Sequence, residues 1–262
     1  MTTQSPPLID THCHLDMDAY QDDLDQVLSR ASENNITHIV SIGIDRQSSE
    51  AAVALAEQYP SIRAAIGIHP HEADRISEND LEQLACLADH PKVVGYGEIG
   101  LDYAKLYAKK ENQIDLFHQQ LNLAKELELP VIIHDRDAHE DTLAVLLEHA
   151  PFPCGGILHC FSGDLDFAQN ILALGFHISI PGIVTFKNAK KLQEVVAHIP
   201  IESMLLETDG PFLAPSPFRG KRNEPSYVRY TAEKVAELRA MPIEELARVT
   251  TRNAQEIFAL QG

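Results

Sequence analysis

The segment LIDTHCH, residues 8–14, is an apolar stretch that ends in an H-x-H pair, His12 and His14. Side chains two apart on a strand point to the same face, so both imidazoles can bind one metal ion. Imidazole and carboxylate groups are ligands for Zn, Mn, Fe or Ni. Four further candidate ligands end later predicted strands: Glu98, His134, His159 and Asp209. Six such groups are the right number and kind for two metal ions in one pocket.

Apolar segments recur along the chain at fairly even intervals, and several are continuous apolar runs, as buried parallel strands are. We predict strands over residues 8–14, 36–44, 61–69, 91–100, 129–134, 155–161, 176–182 and 203–209. Segments with helical period lie between or after them, over residues 48–58, 77–88, 111–128, 165–174, 187–198, 225–239 and 242–259. This alternation predicts an α/β fold, a TIM (β/α)8 barrel that spans residues 1–262 as a single domain. A doubly wound open sheet is the alternative, although the first turn lacks G-x-G-x-x-G.

In such a barrel the active-site groups sit at the carboxyl ends of the strands, so the six candidates would converge at one mouth. They divide into one set for each of two ions: His12, His14 and Asp209 for the first, and His134 and His159 for the second. Glu98 has two oxygens and can bridge the ions. Such a pair would activate a shared water, and Asp209 could accept its proton as general base. The sequence therefore predicts a metal-dependent hydrolase.

Composition limits the other classes of function. The formal net charge of −18 excludes a protein that wraps nucleic acid with a basic surface, so an anionic substrate would need local cations or the metals. No apolar run approaches the roughly 20 residues of a membrane span, and MTTQSPPLID lacks the features of a secretory signal. The four cysteines show no C-x-x-C spacing. We expect a cytoplasmic protein with no membrane partner and no obligatory protein partner.

Motifs over nearly the whole chain extend this interpretation. They are DTHCHLD at 10–16, GIHPH at 67–71, GEIGLDY at 97–103, LPVIIHDRDAHED at 129–141, GGILHCFSG at 155–163, PGIVTFKNAK at 181–190, LLETDGPFLAP at 205–215 and RGKRNEP at 219–225. In this order they resemble the TatD family of metal-dependent hydrolases, which are amidohydrolase-like barrels. The resemblance is far more specific than any single motif.

The resemblance implies a TIM-type barrel with a divalent metal pair that hydrolyses phosphodiester bonds in DNA. The family's ligands map onto the same six residues, His12, His14, Glu98, His134, His159 and Asp209. The metals would be Zn, Mn or Mg, and a small mouth would favour exonuclease action on DNA ends or single strands. Gly210 departs from the Ala or Ser that members often carry after the aspartate, and this changes no ligand.

Several residues outside the ligand set are candidates for substrate contact. A phosphodiester needs positive charge near the phosphoryl group, and the candidates for hydrogen bonds or charge are His69, Arg136, Arg219 and Arg222. Unpaired bases could stack on Tyr103, Phe161 or Phe212.

Two other functions remain open at this point. Related barrels cleave amide, ester or lactone bonds in small molecules, and some bridge their metals with a carboxylated lysine. Here Glu98 occupies the comparable strand, which favours phosphodiester chemistry without excluding the other bonds. A non-enzymatic metal-binding or scaffold protein is the third possibility, against which the basic loop at 219–222 argues.

Overall fold

Eight parallel strands form the centre of the structure, a computed structural model that describes residues 6–260. The strands are β1 (Leu8–Cys13), β2 (Ile36–Ile42), β3 (Ile62–Ile66), β4 (Val93–Asp102), β5 (Val131–Arg136), β6 (Gly156–Leu158), β7 (His177–Ile180) and β8 (Met204–Leu206). Each strand pairs with its neighbours along the chain, in the order β1 to β8. The doubly wound alternative is therefore excluded, because such a sheet does not keep its strands in chain order.

The ring is closed just beyond the last strand. Cys13 at the end of β1 forms a parallel bridge with Gly210. The Asp209 N–H donates to the His12 carbonyl at 2.9 Å, and the His14 N–H donates to the Gly210 carbonyl at 2.8 Å. The predicted TIM barrel is confirmed, and its two ends are joined by the backbone of residues that also supply candidate ligands.

Nine α-helices lie outside the strands in the described part of the chain. They are α1 (Leu24–Glu33), α2 (Arg46–Gln58), α3 (Glu78–Ala88), α4 (Lys110–Glu126), α5 (His139–His149), α6 (Leu165–Ala173), α7 (Lys190–His198), α8 (Val228–Arg239) and α9 (Ile243–Ile257). Seven correspond to predicted helices, whereas α1 and α5 were not predicted. Only Val27 and Ala31 of α1 are buried hydrophobic residues, so its apolar face is too narrow to stand out in the sequence.

The core has two parts. A large cluster lies between strands and helices, and a smaller one fills the barrel interior with side chains such as Ile9, Val40 and Leu205. Phe258 and Leu260, at and beyond the end of α9, belong to the interior cluster. The final helix therefore closes one end of the barrel, and the carboxyl ends of the strands remain free to build a site.

No helix among residues 6–260 combines the length and the apolar composition needed to span a membrane. Residues 1–5, which entered the prediction about a secretory signal, lie outside the described residues.

Candidate metal centre

The six predicted ligands come together at the carboxyl ends of the strands. His12 lies in β1 and His14 directly follows it, whereas Glu98 and His134 lie within β4 and β5. His159 follows β6 by one residue, and Asp209 follows β8 by three. All six are largely buried, with His134 the most accessible of them. A barrel thus gathers groups that are up to 197 positions apart in sequence (12 to 209).

The first donor group contains His12, His14 and Asp209. The two Nε2 atoms lie 3.4 Å apart. Asp209 Oδ1 is 3.5 Å from His14 Nε2 and 3.9 Å from His12 Nε2. These atoms are close enough to one another to coordinate one ion. The backbone that presents Asp209 is left-handed, with φ of 55°, a conformation that non-glycine residues adopt mostly at special sites.

Glu98 connects this group to a second one. Its Oε1 lies 2.6 Å from His134 Nδ1 and 2.8 Å from His159 Nε2. Its Oε2 lies 3.4 Å from His12 Nε2 and 3.6 Å from His14 Nε2. One carboxylate oxygen therefore faces each pair of imidazoles, which is the arrangement that a bridging carboxylate requires.

Two of the imidazoles are held with a nitrogen lone pair toward the centre. His14 Nδ1 donates to the Ile42 carbonyl at 3.2 Å, so its Nε2 is free to act as a ligand. His134 Nε2 lies 3.2 Å from Asp102 Oδ2, which leaves Nδ1 for the centre. Such outer hydrogen bonds fix the tautomer of metal-binding histidines. The donor set, its orientation and its spacing therefore fit divalent cations.

The electrostatics of the centre also favour bound positive charge. Burial raises the pKa of Glu98, but the imidazoles of His159, His69 and His134 outweigh it and hold that pKa well below its usual range. Burial raises the pKa of Asp209, but the hydrogen bond with His14 lowers it, and the net effect is a lowered pKa. Burial lowers the pKa of His159, yet the carboxylates of Glu98 and Glu207 raise it well above its ordinary value. Buried anions of this kind require a cationic partner, whether protons or metal ions.

His69 lies beside the centre, as predicted, and its ring orientation indicates a donor. Its Nδ1 accepts the N–H of His71 at 3.1 Å, so in the neutral ring Nε2 carries the hydrogen. Burial lowers the pKa of His69 well below its ordinary value, which keeps the ring neutral. Its Nε2 is 3.7 Å from Glu98 Oε1. Although His69, Glu98 and His134 could by proximity hold an ion, this tautomer makes His69 a hydrogen-bond donor to the centre.

Asp102 was not singled out from the sequence, yet it organises this side of the centre. Its Oδ2 is 3.0 Å from His71 Nε2 and 3.2 Å from His134 Nε2. Glu98 and Asp102 lie four apart on β4 and share a face. The signal was present in GEIGLDY, but the strand was predicted to end at residue 100, which left Asp102 outside it.

The three predicted arginines lie in different environments. Arg136 is exposed at the end of β5, and the guanidinium of exposed Arg219 lies 4.6 Å over the ring of Phe186. Arg222 donates to both carboxylate oxygens of Asp23 at 2.7 Å and to the Ala19 carbonyl at 2.6 Å. Substrate contact stays a prediction for all three, and the partners of Arg222 give it a role in joining two loops.

The three aromatic residues predicted to stack on bases also differ in how far their rings are exposed. Phe161 is 1% exposed and belongs to the core, so the expectation that it stacks on a base is wrong. Tyr103 is half-buried, with Lys110 Nζ 3.7 Å from its ring centroid. Phe212 is 49% exposed, and its ring contacts that of His14 edge-on at 6.1 Å. Phe212 alone of these three presents a largely exposed ring beside a candidate ligand.

Gly210, where family members often carry Ala or Ser, packs against the buried Tyr20, which leaves no room for a side chain. We expect Gly210→Ala to lower the free energy of unfolding by about 1–3 kcal/mol, the cost of overpacking a filled site. A methyl group there would come within 2.5 Å of Tyr20 Oη and 3.0 Å of Cys13 Sγ. Tyr20 is fully buried and its hydroxyl donates to the Asn223 carbonyl at 2.7 Å, so it cannot move away easily. Denaturant unfolding measures the change.

Tyr20→Phe is the matched partner in a double-mutant cycle, because it removes only the oxygen that the new methyl group would meet. The double variant should lose less stability than the sum of the two single variants. Strictly additive losses would show that Tyr20 is not what excludes a side chain at Gly210.

Nearly the whole chain is similar to known proteins of one family. The sequence profile described as TatD related DNase matches residues 9–259. An uncharacterized metal-dependent hydrolase of Bacillus subtilis, YabD, is 48% identical over 253 residues, which cover 97% of this chain and 99% of that protein. The 3′-5′ ssDNA/RNA exonuclease TatD of Erwinia amylovora is 36% identical over 259 residues, covering 97% and 100% of the two chains.

The similarity extends to a solved structure. The TatD homolog YjjV from Escherichia coli K12 superposes with a TM-score of 0.93 at 35% sequence identity, covering 97% of this chain and 98% of that one. The barrel and the order of its elements are thus shared over almost the full length.

Proposed function

The chain belongs to the TatD related DNase family and is a metal-dependent hydrolase, and we propose that it is a deoxyribonuclease that cleaves phosphodiester bonds from the ends of DNA strands. The observation that carries the proposal is the placement of Glu98, whose two oxygens face two separate pairs of imidazoles. The name of the Erwinia amylovora relative, an exonuclease of single-stranded DNA and RNA, supports the choice of bond and of substrate.

We assign two divalent cations to this centre, with Zn, Mn and Mg as the candidates. One would be held by His12, His14 and Asp209, and the other by His134 and His159. Glu98 would bridge them. When bound, such a pair activates a water molecule and neutralises charge that develops on the phosphoryl group.

The protein's own side chains have distinct roles in this scheme. Asp209 directs Oδ1 toward His14, which leaves Oδ2 to accept the proton of the attacking water. His69 would donate its Nε2 hydrogen to a phosphoryl oxygen, because its tautomer makes it a fixed donor beside Glu98. Arg136 and Arg219 would hold flanking phosphates, since both are exposed cations, Arg136 at the end of β5 and Arg219 in the segment that follows β8.

The net charge of −18 shapes the substrate preference. A protein without a basic surface cannot hold a long duplex by its general field. Local cations can hold a few phosphates, which suits a strand end or a short single strand. We therefore expect activity on single strands to exceed activity on the interior of a duplex.

The proposal is tested with the metal-loaded protein and a panel of substrates. We expect end-labelled single-stranded DNA to be shortened progressively from one end, and bis(p-nitrophenyl) phosphate to be hydrolysed more slowly. Carboxylic esters, lactones and amides of similar size should be poor substrates. Efficient turnover of one of those carbonyl compounds, with no phosphodiester cleaved, would instead favour the alternative small-molecule hydrolase. If none of the phosphodiesters, esters, lactones and amides is hydrolysed, the result would favour a non-enzymatic metal-binding or scaffold protein.

A further inference from the structure

The loop between β4 and α4 carries a basic and aromatic sequence that the proposed chemistry does not use. Residues 103–109 with the first residue of α4 read YAKLYAKK, which contains two tyrosines, three lysines and no acidic residue. The chain as a whole has 39 acidic and 21 basic residues. Interleaved lysines and aromatic rings are typical of surfaces that bind single-stranded nucleic acid.

The backbone of this loop is held in place while several of its side chains, including Leu106 and Tyr107, face solvent. Asp102 Oδ1 accepts the Lys105 N–H at 2.9 Å, and the buried Gln113 donates Nε2 to the Ala108 carbonyl at 3.0 Å. Leu106 and Tyr107 are nevertheless 57% and 64% exposed. Two adjacent large exposed side chains on a fixed loop give a ligand a surface that it can contact.

Tyr107 is connected to the candidate metal centre by a series of rings. Its ring meets that of His71 at 90° with centroids 4.7 Å apart, and the rings of His71 and His69 are 4.2 Å apart. His69 Nε2 then lies 3.7 Å from Glu98 Oε1. Tyr107 is thus near the centre but does not reach the reacting phosphorus. This is the position that a neighbouring base of the substrate would occupy.

The lysines of the loop are available to an anionic ligand. None of Lys105, Lys109 and Lys110 forms an ion pair within 4.0 Å of a carboxylate in the described part of the chain. Lys105 Nζ lies 6.0 Å from the Tyr107 ring centroid, so one cation accompanies the exposed ring. A nucleotide offers a flat base and an adjacent phosphate, which matches this pairing.

We propose that this loop binds single-stranded nucleic acid next to the cleavage site, with an unpaired base stacked on Tyr107 and the phosphates beside it contacting Lys105 and Lys109. The proposal rests on the nuclease function proposed above, and it identifies the residues that select single strands. In the interior of a duplex both faces of each base are covered by its neighbours, so no base there can stack on Tyr107.

The test measures binding separately from hydrolysis. The metal-loaded protein is titrated with a fluorescent phosphorothioate oligothymidylate, which resists hydrolysis. We expect Tyr107→Ala to weaken binding by about 5- to 160-fold, the range for loss of one stacked base. Tyr107→Trp should bind at least as tightly as the parent protein. The double variant Lys105→Ala/Lys109→Ala should reduce the dependence of affinity on salt concentration.

Leu147→Ala is the matched control, because Leu147 is 58% exposed on α5 and outside this loop. It should leave oligonucleotide affinity unchanged. Equal affinity of the parent protein and Tyr107→Ala would overturn the proposal, as would absence of oligonucleotide binding by the parent. Tight, Tyr107-dependent binding without cleavage of ordinary DNA would overturn the nuclease function and leave the binding loop standing.

Discussion

Glu98→Gln is expected to lower kcat/KM for a phosphodiester substrate by about 10²- to 10³-fold, the scale of losing a main electrostatic element of an active site. Glu98 is 3% exposed and lies within 3.6 Å of four imidazoles in two separate pairs. Glutamine has nearly the same shape but one oxygen, and its NH₂ group would face one of those pairs. The side chain could then offer an oxygen to only one of the two proposed ions.

The same variant should lose metal. Elemental analysis of protein purified without chelator is expected to give two ions for the parent protein and fewer for Glu98→Gln. Glu202→Gln is the matched control, since Glu202 is exposed in the turn that precedes β8, at the opposite end of that strand from Asp209. Two tightly retained ions together with full turnover in Glu98→Gln would refute the bridging role.

Removal of the divalent ions is expected to abolish hydrolysis and to lower the midpoint of thermal unfolding. A ligand present at 100 times its Kd stabilises the folded state by about 2.7 kcal/mol. For a chain of this length each kcal/mol corresponds to about 2–4 °C. We therefore expect a decrease of about 5–10 °C for each ion lost. The physical reason is that the buried carboxylates of Glu98 and Asp209 lose their cationic partners.

Differential scanning calorimetry before and after treatment with chelator measures this change, and re-addition of Zn, Mn or Mg should restore both stability and turnover. The Glu98→Gln variant supplies the internal comparison, because with fewer ions to lose it should shift less. A chelated protein that unfolds at the original temperature and still cleaves phosphodiesters would contradict the assignment of a structural and catalytic metal pair.

The fold and the donor groups could be predicted because both depend on local patterns. The strands are apolar runs that a buried parallel sheet requires, and His12 in β1 and His14 directly after it share a face because they are two residues apart. Once eight strands alternate with helices, ligands such as His134 and His159 must meet at one end of the barrel. The chain order of the strands in the structure agrees with this argument.

Contacts between distant loops could not be predicted in this way. The sequence does not predict that Asp23, 199 positions away, binds the guanidinium of Arg222. Asp102 was missed because sequence patterns place strand ends only to within a few residues. The hydrogen bond from Gln113 Nε2 to the Ala108 carbonyl, next to the exposed Tyr107, is likewise not predictable from a local pattern.

The backbone bonds that close the ring have a consequence for biosynthesis. They involve His12 and His14 near the start of the chain and Asp209 and Gly210 near its end. A nascent chain that has not yet been synthesised past β8 therefore lacks Asp209, the last candidate carboxylate ligand. It also lacks the backbone contacts that close the ring. The donor group of His12, His14 and Asp209 can therefore be completed only after residue 209 has been synthesised, and we expect products truncated before β8 to lack it.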